Sequence, residues 1–461
     1  MRRELAAVAA LAGGAAAGAY GLLSRPKPLS VHYSRAPKKV LIVGGGFGGM
    51  AVLDGLVEAL EGDSGVGVAL LDKVNFTTFY PMVPSAISGN VEVRHVAHSI
   101  RRRIKPLGAE FFQAEVTEVD FDRGEVRTTH GTYAYDHLIL ATGSRTAYFD
   151  IPGAWEHSVD LKGLRDALRV RNRVIDSFEE AERLGDEAPE GLLTFVFVGG
   201  GPTGVEAAAD TNDLIFDVLE GDYPNVDFGH VRLVLVNSGE RILKGIDPSL
   251  AHAAQRRLAS QRVEVINDVK VIEVRADGVT LSDGRDIPAR TVVWAAGVNP
   301  GPLVAGLEVE KDDRGRILVD EYLRVKGRPS VYAVGDCVRM DYDGPSVPAL
   351  AQAAEQQGAA AARNLAAEIR GEGTAGMTSF RYRPLGQLVD LGTESALTDI
   401  MGVRISGRLA ALIWRMVYLY ELGHNLNRAR VLVDWIVDLF ARPDTSKLYE
   451  SDEDRPRVEG G

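Results

Sequence analysis

The amino-acid sequence predicts an α/β protein with two doubly wound parallel sheets, because one pattern of strand, glycine loop and helix occurs twice in the chain. The first copy is the apolar run 40–43 followed by GGGFGG at 44–49, and the second is the run 193–198 followed by GGGPTG at 199–204. Short apolar runs of this length are typical of buried parallel strands. A G-x-G-x-x-G loop between such a strand and a helix is typical of a turn that binds a dinucleotide.

The composition limits the classes of protein that fit. A chain of 461 residues exceeds what one hydrophobic core usually supports, so we expect several domains. The net charge of −12 argues against a general attraction to nucleic acid. The single cysteine, Cys337, excludes a disulfide within the chain, an iron–sulfur cluster held by its cysteines, and dithiol redox chemistry. No group of His, Asp or Glu has metal-ligand spacing, so we expect no metal.

Residues 5–23 form an uncharged run that is rich in Ala and Gly. A helix of this length is just long enough to cross the hydrocarbon core of a bilayer. Three interpretations stay open: a membrane anchor, a cleaved signal peptide with an A-x-A pattern at 17–19, and an Ala/Gly extension. Basic residues follow the run with no acid before Asp54, so the positive-inside rule places the body of the protein in the cytoplasm.

In the first copy, the glycine loop continues into an expected helix over 50–60 and a second strand over 66–71. The glycines allow a tight turn and a close approach of the backbone to a pyrophosphate, whose charge the helix N-terminus favours. An acid about 20 residues further on suits a carboxylate that binds a ribose diol. The residues expected at this cofactor site are Gly44, Gly46, Phe47, Gly49, Asp72 and Lys73.

The second copy departs from the pattern at the end of its second strand, 231–236, where Asn237 replaces the usual acid. Arg241 follows closely and could bind a 2′-phosphate, so NADH, which we favour, and NADPH both stay open as donors. Two dinucleotide modules in one chain predict a hydride donor paired with a hydride acceptor, which indicates NAD(P)H with FAD. The residues expected at the second site are Gly199, Gly201, Gly204 and Glu206.

Three further predicted strands run into small residues, as is needed where backbone passes close to a cofactor. They are LILATG at 138–143, VVWAAG at 292–297 and SVYAVGD at 330–336. Taken alone, Asp336, which ends the third segment, could equally be a helix N-cap or a residue that binds a sugar hydroxyl. The candidate cofactor residues in these segments are Ala141, Thr142, Gly143 and Asp336.

Together with GGGPTGVE at 199–206, VYAVGD at 331–336 and AQAAEQQG at 351–358, these motifs resemble the type II NADH dehydrogenases. The resemblance covers residues 38–440, and GGGPTGVE and AQAAEQQG are its most specific parts. It implies the fold of the two-domain flavoprotein reductases, non-covalent FAD, and electron transfer from NADH to a membrane quinone without proton pumping.

The resemblance also implies roles for particular residues. The first loop would hold the pyrophosphate of FAD and Asp72 its adenosine ribose, and the backbone of Val116 would meet the adenine. Thr142 and Gly143 would lie near the ribityl and phosphate portion, and Asp336 on the ribityl chain. The second loop would hold NADH.

Three further residues have expected roles near the reacting groups. Glu206 matches an acid near the meeting point of nicotinamide and flavin, and Gln352 and Gln356 match positions beside the quinone pocket. We therefore expect Glu206 and Gln356 to be catalytic. Without the resemblance, Glu206 is also explained as a first-turn acid that complements the helix dipole.

The expected domain order places an inserted NAD(H)-binding domain between two parts of an FAD-binding domain. The segments are 1–37 (apolar anchor and linker), 38–160 and 306–378 (FAD-binding domain), 161–305 (NAD(H)-binding domain with a lead-in helix), 379–445 (membrane-association or dimer region) and 446–461 (acidic disordered tail).

The C-terminal region indicates whether the electron acceptor lies in a membrane. Apolar residues at 409, 412, 413, 416, 417 and 420 predict one stripe of a helix, and a second apolar run covers 431–440. Both runs are too short to span a bilayer, but their Trp, Tyr and Arg residues are typical of helices at a membrane interface. The alternative is a helical hairpin buried against the body or in a homodimer. We expect peripheral attachment to the cytoplasmic face of the cell membrane.

Two other functions fit parts of the sequence. A soluble reductase that passes single electrons to a ferredoxin-like protein needs both nucleotide loops but no apolar C-terminal region. A membrane-bound flavoprotein redox sensor fits the anchor, although the complete nucleotide loops argue against it.

Overall fold

The computed structural model describes residues 27–61, 65–340, 347–423, 425–438, 440 and 444–447. The expected N-terminal anchor at 5–23 and most of the expected acidic tail lie outside the described residues. Within the described residues, no helix combines the length and the apolar character that a membrane span requires.

The order of the elements follows the α/β pattern that the sequence predicts. The strands are β1 (Lys38–Val43), β2 (Val66–Asp72), β3 (Phe76–Thr78), β4 (Ala97–Ser99), β5 (Glu110–Gln113), β6 (Val116–Asp120), β7 (Glu125–Thr128), β8 (Gly131–Ala134), β9 (His137–Leu140), β10 (Arg145–Thr146), β11 (Val159–Asp160), β12 (Thr194–Val198), β13 (Arg232–Val236), β14 (Val263–Ile266), β15 (Val271–Arg275), β16 (Gly278–Leu281), β17 (Asp286–Pro288), β18 (Thr291–Trp294), β19 (Val298–Asn299), β20 (Ile317–Val319), β21 (Arg324–Val325), β22 (Arg328–Ala333), β23 (Val338–Met340), β24 (Gln387–Asp390), β25 (Ala396–Ile400) and β26 (Val403–Gly407). The helices are α1 (Phe47–Ala59), α2 (Ser85–Ser88), α3 (Ile100–Ile104), α4 (Ala154–His157), α5 (Leu164–Leu184), α6 (Pro202–Asp213), α7 (Pro248–Ser260), α8 (Pro302–Gly306), α9 (Ala351–Ile369), α10 (Arg408–Glu421) and α11 (Asn425–Val437).

The chain divides into two compact units. Unit 1 comprises Met1–Thr78, Ala97–Arg145 and Val298–Leu385, and unit 2 comprises Phe79–Val96, Thr146–Gly297 and Gly386–Gly461. The short segment Phe79–Val96 belongs to unit 2 because its buried side chains, such as Val83 and Ile87, pack into the unit 2 core.

Unit 1 is built on an eight-stranded sheet in the order β23-β20-β21-β22-β9-β1-β2-β5. Strand β1 lies between β2 and β9 and pairs with both in parallel, so the residues that follow β1 and β9 leave the sheet at the same edge. Helices α1 and α9 approach closely because small residues meet at their contact. A Cβ atom added at Gly55 would lie 2.8 Å from the Cβ of Ala362.

Unit 2 is built on a five-stranded sheet in the order β11-β18-β12-β13-β14, in which β12 pairs in parallel with both β13 and β18. Helix α6 follows β12 and continues directly into a π-helical turn, Leu214–Leu219. The C-terminal region differs from the prediction, because an antiparallel sheet, β24-β25-β26, precedes the two expected helices.

Candidate functional site

The first glycine loop shows which of its glycines the fold itself requires. Gly44 has a φ of +107°, and a Cβ atom there would lie 2.2 Å from the carbonyl oxygen of Ala141. A Cβ atom at Gly49 would lie 1.9 Å from the carbonyl oxygen of Gly44. At Gly46, in contrast, no atom lies within 4 Å of the added Cβ, and the backbone conformation suits any residue. The fold itself therefore does not require glycine at 46, and the space beside the α1 N-terminus is open at this position.

The second loop repeats this geometry. Gly199 has a φ of +119°, and a Cβ atom added there would lie 2.8 Å from the carbonyl oxygen of Ala295. A Cβ atom added at Gly204 would lie 1.9 Å from the carbonyl oxygen of Gly199. Gly201 again has no atom within 4 Å. Each loop thus keeps free space at its middle glycine, next to the amide groups and positive dipole end of a helix. Both loops fit a pyrophosphate on this ground.

Asp72 lies where the sequence predicts, at the end of β2, but its carboxylate is already bonded to its own loop. Oδ2 accepts a hydrogen bond from the Gly45 amide at 2.7 Å, and Oδ1 accepts one from the Val74 amide at 2.9 Å. Burial nevertheless raises the pKa of Asp72 above its ordinary value. The structure thus gives Asp72 a role in holding the loop, and its contact with a ribose stays a prediction.

The other predicted cofactor residues of unit 1 lie on two neighbouring strands and their extensions. Ala141, Thr142 and Gly143 follow β9, and Asp336 follows β22, which pairs with β9 in parallel. Gly143 has a φ of +64° and no atom within 4 Å of an added Cβ. Phe47 begins α1 and Val116 begins β6, and both are half-buried, while Lys73 is exposed beside Asp72.

Two residues that the sequence analysis missed hold Asp336 in place. The Ser144 hydroxyl donates to Oδ2 of Asp336 at 2.6 Å. Oε1 of the buried Gln357 accepts from the Gly335 amide at 2.7 Å. Because Gln357 lies on α9, it ties the Gly-Asp turn to that helix. The only local signal for it was its place within AQAAEQQG.

At the second loop, the neutral amide of Asn237 is fully engaged as a donor. Its Nδ2 group donates to the Gly239 carbonyl at 2.9 Å and to Oδ1 of Asn267 at 2.8 Å. The guanidinium of Arg241 donates to the carbonyl oxygens of Ile246 and Lys244. Arg241 therefore stabilises its own loop with two of its five N–H groups, and its contact with a 2′-phosphate stays a prediction.

Glu206 lies in the first half of α6 and is only 8% exposed. Its Oε1 accepts a hydrogen bond from the amide of Asp390, on β24, at 3.1 Å. Burial, opposed by this bond and reinforced by the negative charge of Asp210, raises the pKa of Glu206 to about 8. A carboxyl group with this pKa can both hold and release a proton near neutral pH, as acid–base chemistry requires.

Gln352 and Gln356 lie one turn apart on α9, as the sequence predicts, and their side chains bind one stretch of unit 1 backbone. Oε1 of Gln352 accepts from the Leu385 amide at 3.0 Å. Gln356 bonds twice to Arg383, accepting from its amide at 3.0 Å and donating to its carbonyl oxygen at 2.8 Å. The two glutamines thus hold the segment that ends unit 1, and their contact with a quinone stays a prediction.

Helix α10 has two different faces. Ala410, Ala411, Ile413 and Trp414 are buried within unit 2, as in the predicted hairpin alternative. The opposite face is apolar and exposed, and α11 adds further exposed apolar side chains. The exposed set, here called the apolar surface, consists of Leu409, Leu412, Met416, Tyr420, Leu426, Leu432, Val433, Ile436, Val437 and Phe440.

Four of the five arginines expected at a membrane interface have partners within unit 2. Arg404 pairs with Asp247 and Asp399, and Arg408 pairs with Glu394. The remaining two bond to backbone: Arg415 donates to the Thr393 carbonyl, and Arg428 donates to carbonyl oxygens near the end of α10. Arg430 is exposed. Most of these guanidinium groups therefore stabilise the C-terminal region itself.

Comparison with known proteins agrees with this geometry. Residues 38–358 match the family model described as pyridine nucleotide-disulphide oxidoreductase, and residues 385–443 match the NDH2 C-terminal domain. The chain belongs to the type II NADH dehydrogenases. Its one cysteine, Cys337, is fully buried beside the Gly-Asp turn, so the dithiol in the broader family's name has no counterpart within this chain.

Individual relatives are similar over most of their length. The internal alternative NAD(P)H-ubiquinone oxidoreductase A1 of Arabidopsis thaliana is 31% identical, covering 89% of this chain and 86% of the relative. The type II NADH:quinone oxidoreductase Ndh of Mycobacterium tuberculosis is also 31% identical, covering 87% of each. The structure of NDH2 from Plasmodium falciparum in complex with NADH has a TM-score of 0.82 at 21% identity, over 89% of this chain and 100% of that one, and supports the fold.

Membership of the type II NADH dehydrogenases confirms the predicted fold class and enzyme class. The protein is an NADH:quinone oxidoreductase that uses non-covalent FAD and pumps no protons.

Proposed function

We propose that the loop at 44–49 of this dehydrogenase holds FAD, that the loop at 199–204 holds NADH, and that α10 and α11 attach the enzyme to a membrane surface, where it meets its quinone. The observation that carries the assignment is the pair of open positions at Gly46 and Gly201, one in each unit. When bound, FAD supplies the two-electron acceptor for the hydride of NADH.

The chain's own groups have separate tasks in this proposal. The amide groups at the start of α1 and α6 bind the two pyrophosphates. Asp336, oriented by Ser144 and by the Gln357-bonded turn, accepts hydrogen bonds from the polyol of FAD. Glu206 holds a proton that quinone reduction requires, in keeping with its burial and raised pKa.

Attachment to a membrane is supported by the apolar surface. Phe440 is 87% exposed, and nine further apolar side chains of α10 and α11 are exposed. Soluble monomers rarely expose large apolar patches to water, whereas an interfacial helix buries an apolar face at the level of the lipid headgroups. The cytoplasmic face, the homodimer and a span by residues 5–23 stay sequence-based predictions.

The function is tested by anaerobic stopped-flow of the FAD-loaded protein, with flavin absorbance as the signal. We expect fast bleaching on mixing with NADH and fast recovery on adding a short-chain quinone. Bleaching without recovery by quinone, but with recovery by a one-electron protein acceptor, would favour the soluble reductase. Bleaching with NADPH alone would overturn NADH as the donor.

Membrane attachment is tested by flotation with vesicles that contain anionic phospholipids. Ile436→Asp should reduce the bound fraction several-fold, since it places a charge in the apolar surface. Ile272→Asp is a matched control, because Ile272 on β15 is equally exposed at 48% and lies outside the apolar surface. Equal binding of the two variants would contradict attachment through α10 and α11.

A further inference from the structure

Helix α6 places three carboxyl groups on one buried face of unit 2. Glu206, Asp210 and Asp213 follow at i, i+4 and i+7, so they share one side of the helix. Asp390, on β24, meets this side, since its amide donates to Glu206. These four residues are here called the carboxyl cluster. Glu206 is 8% exposed, Asp210 0% and Asp213 5%.

The carboxyl cluster cannot be fully ionised. Among the described residues, no Lys, Arg or His lies within ion-pair distance of any of its four carboxyl groups. The nearest favourable charges are those of Arg415, which acts on Asp390, and Arg257, which acts on Asp213. Unpaired charges buried side by side are strongly unfavourable, so such groups keep protons instead. Some of these carboxyl groups are therefore neutral at physiological pH.

The hydrogen bonds of Ser88 indicate where one proton is held. The Ser88 hydroxyl lies 2.8 Å from Oδ1 of Asp210 and 3.0 Å from the carbonyl oxygen of Ser85. A hydroxyl has one hydrogen to donate, and a carbonyl oxygen can only accept. If Asp210 is protonated, the O–H on its Oδ1 donates to Ser88 Oγ while Ser88 donates to Ser85, so each of the two hydroxyl hydrogens has an acceptor. The second oxygen of Asp210, Oδ2, is buried without a hydrogen-bond partner among the described residues, which also favours the neutral form.

Asp213 is bonded in the opposite way. Its Oδ2 accepts from the amide and the hydroxyl of Thr393 at 2.6 and 2.9 Å, and its Oδ1 accepts from Gln261 at 3.4 Å. Donors on both oxygens favour a carboxylate, and the pKa of Asp213, raised by burial, is about 6. The carboxyl cluster thus has an ionised end at Asp213 and a proton-holding part at Asp210.

The groups that face the carboxyl cluster from other elements are consistent with a protonated Asp210 and an ionised Asp213. Helix α10 contributes Tyr418, whose pKa burial raises further with help from Glu206, and also Arg415 and Glu421. Asp217, in the π-helical turn, raises the pKa of Asp213, and Arg257 on α7 lowers it. Apart from the two arginines, all of these groups are acidic or neutral, so they favour retention of protons.

We propose that Asp210, one turn from Glu206 on the buried face of α6, is a proton store that recharges Glu206 in each turnover. The inference rests on the proposed function. NADH gives up a hydride, which carries two electrons and one proton, and quinone takes two electrons and two protons to become quinol. One proton per turnover must therefore come from solvent. Glu206 releases that proton, the proton held by Asp210 replaces it, and solvent refills the store.

The first test reads protonation directly, without turnover. Infrared spectra of the FAD-loaded enzyme should show a band of a protonated carboxyl group near neutral pH that shifts in D2O. The band should be lost in Asp210→Asn and kept in Glu220→Gln, a control directly after the same helical run whose side chain is exposed. An unchanged band in Asp210→Asn would show that Asp210 is ionised and would overturn the inference.

The second test follows the two half-reactions by stopped-flow at several pH values. In Asp210→Asn, we expect bleaching by NADH within about twofold of the parent rate, while the quinone half-reaction slows about tenfold near pH 8.5. Near pH 6 the rate should recover to within about twofold, because protons from solvent then suffice. An equal loss of the quinone half-reaction rate at all pH values would indicate a structural defect and would contradict the proton store.

A third variant keeps the test decisive if Asp210→Asn does not fold. Ser88→Ala leaves the carboxyl group in place but removes its partner, so the infrared band should move rather than vanish. An unmoved band would contradict the assigned proton. The proposed function fails separately, if NADH does not bleach the flavin of the unmodified enzyme.

Discussion

Helices α1 and α6 each follow a glycine loop of the same pattern, but the corresponding faces of the two helices differ in their side chains. Counted from the first glycine of each loop, Ala51 and Gly55 on α1 occupy the positions of Glu206 and Asp210 on α6. In unit 1 this face packs closely on α9: Cβ atoms added at Gly55 and at Gly358 would each lie 2.8 Å from an alanine Cβ of the opposite helix. In unit 2 the face carries buried carboxyl groups.

The comparison separates what the loop does from what the helix does. The loop backbone is nearly identical in the two units. In both, a Cβ atom added at the third glycine would lie 1.9 Å from the carbonyl oxygen of the first glycine. It therefore specifies only that a dinucleotide can bind. The side chains further along the helix differ: in unit 1 they allow α1 to pack closely on α9, and in unit 2 they place carboxyl groups on the buried face of α6.

The largest expected effect comes from filling the open position of each loop. Gly46→Val should abolish FAD retention, because the added side chain would occupy the space of the pyrophosphate without a clash inside the protein. Gly201→Val should retain FAD but slow bleaching by NADH by on the order of 100-fold. Flavin absorbance after purification and stopped-flow bleaching measure the two outcomes. If Gly46→Val kept its flavin, the first loop would not hold FAD.

The next effect tests the carboxyl face of α6. Glu206→Gln should lower quinone-dependent turnover by about 10- to 100-fold, the usual contribution of an acid–base group, with FAD content unchanged. The amide can still accept from the Asp390 backbone, so the helix contact is kept. Steady-state rates and flavin content measure the change, and Glu220→Gln serves as an exposed control. Unchanged turnover would remove Glu206 from the mechanism.

A third prediction concerns the residue at the end of the next strand after each glycine loop, which is Asp72 in unit 1 and Asn237 in unit 2. Asn237→Asp should lower kcat/KM for NADPH by about tenfold relative to NADH, because it adds a negative charge where a 2′-phosphate would lie. The ratio of kcat/KM for the two donors is the measurement. Arg241→Ala should change this ratio less, since Arg241 already binds Ile246 and Lys244. A larger effect at Arg241 would show that its guanidinium binds the 2′-phosphate.

Local signals in the sequence were sufficient for the framework of both units. Glycine spacing and apolar runs predict β1 with α1 and β12 with α6, because both depend on neighbours in the chain. The sheet β24-β25-β26 was missed because its strands alternate only weakly between buried and exposed positions.

Site features that depend on distant parts of the chain could not be predicted in the same way. The bond from Gly335 to Gln357 and the bond from Ser144 to Asp336 join residues that no local pattern relates. Asp390 is an acid in a short strand and would be expected in water, and only the fold places it against α6. The spacing of Glu206, Asp210 and Asp213 was readable as one helix face, but their burial was not.

The last expected effect is on stability and does not concern turnover. Burial raises the pKa of Glu206 to about 8, so the folded protein keeps a proton that the unfolded chain releases near pH 4.5. Between these values the folded state binds more protons, and the free energy of unfolding therefore falls as pH rises. Glu206→Gln cannot ionise and should be more stable than the parent near pH 8, by on the order of 2 kcal/mol, with little difference near pH 5. Thermal unfolding across this range measures the difference in Tm. A parallel pH dependence of the two proteins would mean that Glu206 is ionised in the folded state, and the contrast between the faces of α1 and α6 would then be one of packing alone.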